Sequence, residues 1–220
     1  MNEFGILLQG GVSPWTKDIV LEYKKNFPKA EIKFSTWEKE NVSEINCDII
    51  QSKKPLPTSP HESNINFQIV GVQEGLKEMN SKIILKCRSD VFIHNKNIFN
   101  IFQLNCPYEK IMTTNIGSFP FEYRISDFCL LGTKKILDEF WHDIPLYDGI
   151  SPIAPETYMT KNYIVNIKKD KRPWNEIINE YFYLRDYHLD FQIEWEKLTR
   201  YEKYGRNLSK LILEEKINME

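Results

Sequence analysis

Phe4-Gly5-Ile6-Leu7-Leu8-Gln9-Gly10-Gly11 is a short apolar run closed by one polar residue and two glycines. A run this short, with no polar alternation, fits a strand buried on both faces that feeds a tight loop. Thr16 stands where it can cap a helix carrying Ile19, Val20, Tyr23 and Phe27 on one face, and Pro28 stops that helix. The two elements make a strand-helix start, and the loop between them lies where open α/β sheets bind their ligands.

The same logic extends outward. Ala30 to Ser35 alternates, with Ile32 and Phe34 opposite Glu31 and Lys33, and Cys47 to Ile50 is a second short apolar strand. The segment Lys53 to Pro60 is too rich in proline for regular structure. From Ser63 onward Ile65, Ile69, Val72, Leu76 and Met79 keep helical spacing. Ile83 to Ile93 reads as a strand, and period-2 counting puts Lys86, Arg88 and Asp90 on one side of it. Lys110 to Thr114 and Ile125 to Leu131 read as strands, with Asp127 inside the second. Thr133 caps a helix bearing Ile136, Leu137, Phe140 and Trp141, Glu156 to Ile164 forms another, and Trp174 to Glu215 is helical in pattern. The alternation predicts an α/β fold, a mostly parallel sheet flanked by helices, with the loops after Leu8, Ser35, Ile50 and Leu85 on one rim. Residues 1–170 form this domain, and 171–220 a helical C-terminal extension packed on the domain or a membrane surface.

With 220 residues, 41% of them hydrophobic and 27% charged, the chain can bury a full globular core. Lys and Arg number 29 against 31 Asp and Glu, a balance that argues against a nucleic-acid partner. Cys47, Cys87, Cys106 and Cys129 are scattered without disulfide or zinc spacing and read as free thiols. No apolar stretch reaches the roughly 20 residues of a membrane span, so a cytoplasmic protein is expected. The C-terminal mixture of Trp174, Tyr181, Phe182, Tyr183, Tyr187, Phe191, Trp195, Tyr201 and Tyr204 with Lys197, Arg200, Lys203 and Arg206 leaves peripheral contact with the membrane open. Packing of those aromatics on the domain or on a second subunit is the alternative.

No Gly-x-Gly-x-x-Gly, P-loop, Gly-x-Ser-x-Gly or His-Glu-x-x-His pattern is present. What stands out is Lys86-Cys87-Arg88-Ser89-Asp90 at a strand end. Cations beside a carboxylate can hold a diphosphate and a hard divalent metal together, Asp90 ligating Mn²⁺ or Mg²⁺ while Lys86 and Arg88 offset phosphate charge. A plain Arg88–Asp90 surface pair gives the same pattern.

Gln9-Gly10, Ser35-Thr36-Trp37-Glu38, Asn64-Ile65-Asn66-Phe67-Gln68, the Lys86–Asp90 stretch, Ser126-Asp127-Phe128 and Pro155-Glu156 occur in the order seen in the WavE family of bacterial lipopolysaccharide-synthesis proteins. The chain resembles that family over most of residues 4 to 164. The resemblance implies a GT-A-type glycosyltransferase, with a Rossmann-like sheet, that moves a sugar from a nucleotide-sugar donor to a saccharide or lipid-linked saccharide acceptor of lipopolysaccharide, lipooligosaccharide or capsule. It also implies a divalent metal, with Arg88-Ser89-Asp90 in the place of the usual Asp-x-Asp and only the last carboxylate kept. Phe67 stands where the family pattern has Arg, so any phosphate contact made by that Arg must come from elsewhere.

On this layout Gln9, Gly10 and Gly11 approach the nucleotide through the backbone, Trp37 packs on base or sugar, and Glu38 accepts from a ribose hydroxyl. Asn66 and Gln68 at the helix start join the donor site; Asp48 and Ser52 flank the third strand. An inverting transfer needs a group that takes the acceptor hydroxyl proton. Asp127 is the first candidate and Glu156, after Pro155 at a helix N-terminus, the second. His188, and more weakly His61 and His94, are the histidines a metal could draw on. A nucleotidyl- or phosphoryl-transferring enzyme and a non-catalytic glycan-binding protein are the rival readings.

Overall fold

In chain order the strands are β1 (Phe4–Gln9), β2 (Glu31–Trp37), β3 (Asp48–Ser52), β4 (Ile83–Arg88), β5 (Phe92–Ile93), β6 (Ile111–Thr114), β7 (Cys129–Thr133), β8 (Phe182–Arg185) and β9 (Ile193–Glu194). The helices are α1 (Thr16–Asn26), α2 (Ile65–Glu78), α3 (Ile98–Asn105), α4 (Lys134–Trp141), α5 (Pro155–Lys161, continued by a π-helical turn, Asn162–Ile167) and α6 (Trp174–Tyr181). These come from a computed structural model that describes residues 2–118, 121–196 and 198.

Seven strands form one sheet in the order β3-β2-β1-β4-β7-β6-β8, and β5 pairs with β9 beside it. β1 runs parallel to β2 and β4, β2 to β3, and β6 to β8, while β7 is antiparallel to both neighbours. The sheet is therefore mostly parallel, and β1, β2, β3 and β4 end on one rim, as the alternation of elements predicts.

Because successive side chains point to opposite faces, the central strands feed two cores. Ile6, Leu8, Leu85, Cys87, Cys129 and Leu131 pack with α1 and α3 on one face. Leu7, Ile84 and Leu130 pack with α2, α4, α5 and α6 on the other. The apolar run of β1 is uninterrupted because neither face meets water.

Several local expectations give way to tertiary contacts. Thr16 does not cap α1; its hydroxyl accepts from the Ser13 N–H (2.8 Å) and donates to the Ser89 carbonyl (3.0 Å). The strand expected through Ile93 stops at Arg88, where Ser89 turns the chain, so Asp90 falls out of register with Lys86 and Arg88. Asp127 precedes β7 instead of lying within it. Thr133 does cap α4, accepting from the Ile136 N–H.

The largest difference lies beyond residue 171. Among the described residues there, the helix α6 ends at Tyr181; Phe182–Arg185 adds a strand alongside β6, and Ile193–Glu194 pairs with β5. An aromatic-rich stretch satisfies either periodicity, and the open edge of β6 selects the extended form. Trp174, Phe182, Tyr187, Phe191 and Trp195 are buried in the two cores, while Tyr201, Tyr204, Lys197, Arg200, Lys203 and Arg206 lie outside the described residues. Among the described residues no helix is long and apolar enough to cross a membrane.

Helix α2 sits close on the sheet at Gly75, where an added Cβ would come within 2.6 Å of Leu7 Cδ1. Leu7 is fully buried in the core that α2 covers. Gly75→Val is expected to destabilise the fold by about 2 kcal/mol through overpacking, read as a lower urea midpoint with an unchanged m-value.

Candidate functional site

A cleft of about 290 Å³ opens at the carboxyl ends of β1, β2 and β4. Of the residues singled out in the sequence, Gln9, Gly10, Gly11, Trp37, Gln68, Arg88 and Asp90 line it. Its floor is tied at Ser89, which is buried. The Ser89 N–H donates to the Gln9 carbonyl (3.1 Å) and its hydroxyl to the Gly11 carbonyl (2.7 Å). Its own carbonyl accepts from Ser13 Oγ (3.2 Å) and Thr16 Oγ1 (3.0 Å). Gly10 passes over it at φ 142°, and a Cβ there would lie 2.5 Å from Ser89 Oγ. Only glycine meets both demands.

The walls come from β2 and α2. Trp37 is almost fully buried and packs against Phe67 with ring centroids 5.8 Å apart. Lys54, from the proline-rich segment, stands 5.0 Å over the other aromatic of this pair, Phe67. Gln9 Nε2 donates to the Phe67 carbonyl (3.2 Å), and the buried Oε1 of Gln68 has no hydrogen-bond partner among the described residues. Glu38 is exposed on the turn after β2 and does not line the cleft. Glu40 does, with Oε2 accepting from the Val12 N–H (3.3 Å). The turn through Lys39, at φ 73°, shifts the inward-facing carboxylate by two residues, which residue counting from the strand end does not reveal.

Asp90 is not placed as a metal ligand. Its Oδ1 accepts from Arg88 Nε (2.8 Å), and its Oδ2 accepts from Arg88 Nη2 (2.8 Å) and Trp195 Nε1 (3.1 Å). Partial burial raises its pKa, but the Arg88 and Trp195 hydrogen bonds outweigh that and hold it below its ordinary value. Among the described residues no three His, Cys, Asp or Glu side chains converge on one point. A divalent ion at Asp90 would contend with the guanidinium for the only carboxylate of Arg88-Ser89-Asp90, so these donors do not fit a metal.

Other expected donor residues face elsewhere. Lys86 is fully buried on the α2 and α4 side of β4, donating to the Asp127 carbonyl (2.9 Å) with Nζ 5.5 Å from the Trp141 ring. Burial lowers its pKa against the opposing charge of Asp127. Asn66 spends its amide on the backbone of Tyr147, donating to the carbonyl (3.0 Å) and accepting from the N–H (2.7 Å). Asp48 begins β3, at the end of the sheet away from the cleft. His188 and His61 are exposed, and His94 lies between Glu22 (2.7 Å) and Glu194 (3.0 Å).

Asp127 and Glu156 form a second group beside the cleft. The Arg88 N–H donates to the Phe128 carbonyl (3.2 Å), which sets residue 127 next to the end of β4. Glu156 lies in the first turn of α5, after Pro155, and its Oε1 lies 3.9 Å from Arg124 Nη2. Burial, then the charge of Asp127, raises the Glu156 pKa, while Arg124 and Arg88 oppose the rise. Two neighbouring carboxylates with cations around them are suited to accepting one proton. Arg124 carried no sequence signal beyond its charge.

The family model described as WavE lipopolysaccharide synthesis matches residues 15–171. The chain belongs to the WavE family. The match spans the cleft walls and the Asp127–Glu156 group, and it ends before Trp195. Among curated proteins none matches the chain. Solved structures with a similar course include a glycosyltransferase involved in glycosylation of the major capsid of PBCV-1, 16% identical, covering 84% of this chain and 83% of that one with TM-score 0.49. The glycosyltransferase GlyE of Streptococcus pneumoniae is 9% identical over 86% of this chain and 46% of its own, with TM-score 0.49. A cytidylyltransferase of Leptospira borgpetersenii is 13% identical over 84% of this chain and 76% of its own, with TM-score 0.48. The WavE assignment rests on the family match and draws nothing from these likenesses.

The raised pKa of Glu156 makes stability depend on pH. Its favourable contribution is complete below the ordinary value of 4.5 and is lost as pH rises through the raised folded value. In denaturant titrations across that window, wild type is expected to lose stability relative to Glu156→Gln as pH increases; parallel curves would show that Glu156 titrates normally.

Proposed function

We propose that this WavE protein transfers a sugar from a nucleotide-sugar to a hydroxyl of a saccharide acceptor in lipopolysaccharide assembly. The observation that carries the reading is the cleft at the carboxyl ends of β1, β2 and β4 in a chain of this family. Ligands of open α/β sheets bind at that rim. Gly10 and Gly11 let a nucleotide approach the backbone, Trp37 and Phe67 offer an aromatic wall, and Glu40 lies where a ribose hydroxyl can donate to it. Lys54 brings a cation to Phe67, where the family pattern has Arg, and so restores positive charge on that side.

The reaction needs few protein groups. The acceptor oxygen bonds to the anomeric carbon, the bond from that carbon to the diphosphate oxygen breaks, and the diphosphate leaves with the electron pair. The acceptor proton passes to the carboxylate pair. Within that pair Glu156 accepts the proton, because burial and the charge of Asp127 raise its affinity for one, and Asp127 holds the acceptor. Arg88 stands between the two regions, lining the cleft and acting on Glu156.

Incubation with a panel of nucleotide-sugars and core saccharides, with products read by mass spectrometry, is expected to give one glycosylated acceptor and the matching nucleoside diphosphate. Glu156→Gln and Asp127→Asn should each lower kcat by roughly 10²-fold or more with little change in nucleotide affinity. A nucleotidylated product, or full activity in both variants, would count against the reading.

A further inference from the structure

Arg88 is unusually well held for a cation in an open cleft. Its Nε and Nη2 donate side by side to the two oxygens of Asp90, each at 2.8 Å. The Trp195 ring lies 5.2 Å from the guanidinium carbon, and its Nε1 donates to Asp90 Oδ2 (3.1 Å). Trp195 is itself buried, tilted against Phe128 at 4.8 Å. One edge and one face of the guanidinium are thus set by two side chains, which fixes the direction in which the cation meets the cleft. Ser89 adds rigidity at the turn between Arg88 and Asp90. Lys54 supplies a second cation to the same cleft.

The carboxylate that the sequence pattern offers to a metal is used for this purpose instead. The other acid of the cleft, Glu40, holds the Val12 N–H. We propose that Arg88 is the cation that meets the diphosphate of the bound nucleotide, and that Asp90 and Trp195 are positioning residues that aim it, in place of a divalent ion held by Asp90. The proposal rests on the reading of the cleft as a nucleotide-sugar site. It also makes the C-terminal segment part of that site, since Trp195 follows β9, which is clasped to β5.

The test follows the thermal midpoint of the full chain with UDP, GDP, CDP and ADP, each in EDTA and in Mn²⁺, because a ligand that binds only the native state raises the midpoint. One diphosphate is expected to raise it in EDTA, with little added by Mn²⁺. Trp195→Phe keeps an aromatic ring against Phe128 and removes the N–H; it should weaken that diphosphate about tenfold. The corresponding nucleoside, followed by saturation-transfer NMR, should bind as to wild type, a difference that general loosening of the fold would not produce. Asp90→Asn provides the same comparison if Trp195→Phe does not fold. A shift seen only with Mn²⁺ would overturn the proposal and leave the nucleotide site standing, as would wild-type diphosphate affinity in both variants. No shift with any of these nucleotides in either buffer would remove the nucleotide reading and the proposal together.

Discussion

The turn at Ser89 is the constraint on which the cleft depends. A central strand must end somewhere, and its last backbone groups lose their ladder partners at the rim. Here the Ser89 N–H, hydroxyl and carbonyl are all used, by Gln9, Gly11, Ser13 and Thr16. Those bonds join the end of β4 to the loop after β1 and to the start of α1. They also force Gly10 into a conformation that no side chain tolerates next to Ser89 Oγ. The floor of the cleft is therefore built from backbone held at both ends, leaving room for a ligand that approaches the main chain.

Around that floor, alternation along the strands divides the charged residues between two environments. Lys86 and its neighbours on β4 illustrate the division. Leu85 and Cys87 face the α1 and α3 core, whereas Lys86 faces the opposite core with Ile84. A buried ammonium is costly unless it is paired; Lys86 donates to the Asp127 carbonyl, and so fixes the segment that carries Asp127 towards Glu156. The lysine acts at one remove from the cleft, through the backbone of the residue that takes part in the proposed chemistry.

The C-terminal segment closes the arrangement from the other side. β8 extends the sheet beyond β6, and β9 pairs with β5, returning the chain to the end of β4. Trp195 then reaches a carboxylate 105 positions earlier in the chain. A segment outside the WavE match contributes to the geometry of a residue inside it.

The succession of strands and helices up to β4, the parallel rim and the placing of Gln9, Gly10, Trp37 and Arg88 along it were legible in the sequence. They depend on local periodicity and on the rule that alternating strands and helices build a parallel sheet whose strands end on one rim. The fates of Asp90, Glu38, Asn66 and the residues after 171 were not legible. Each depends on what lies across space: Arg88 and Trp195 claim Asp90, the turn at Lys39 brings Glu40 to the cleft in place of Glu38, and Tyr147 claims Asn66. Periodicity states which face of an element a side chain occupies. Only the packed structure decides which partner meets it there, because a polar group buried at that face takes whatever donor or acceptor the fold brings within reach.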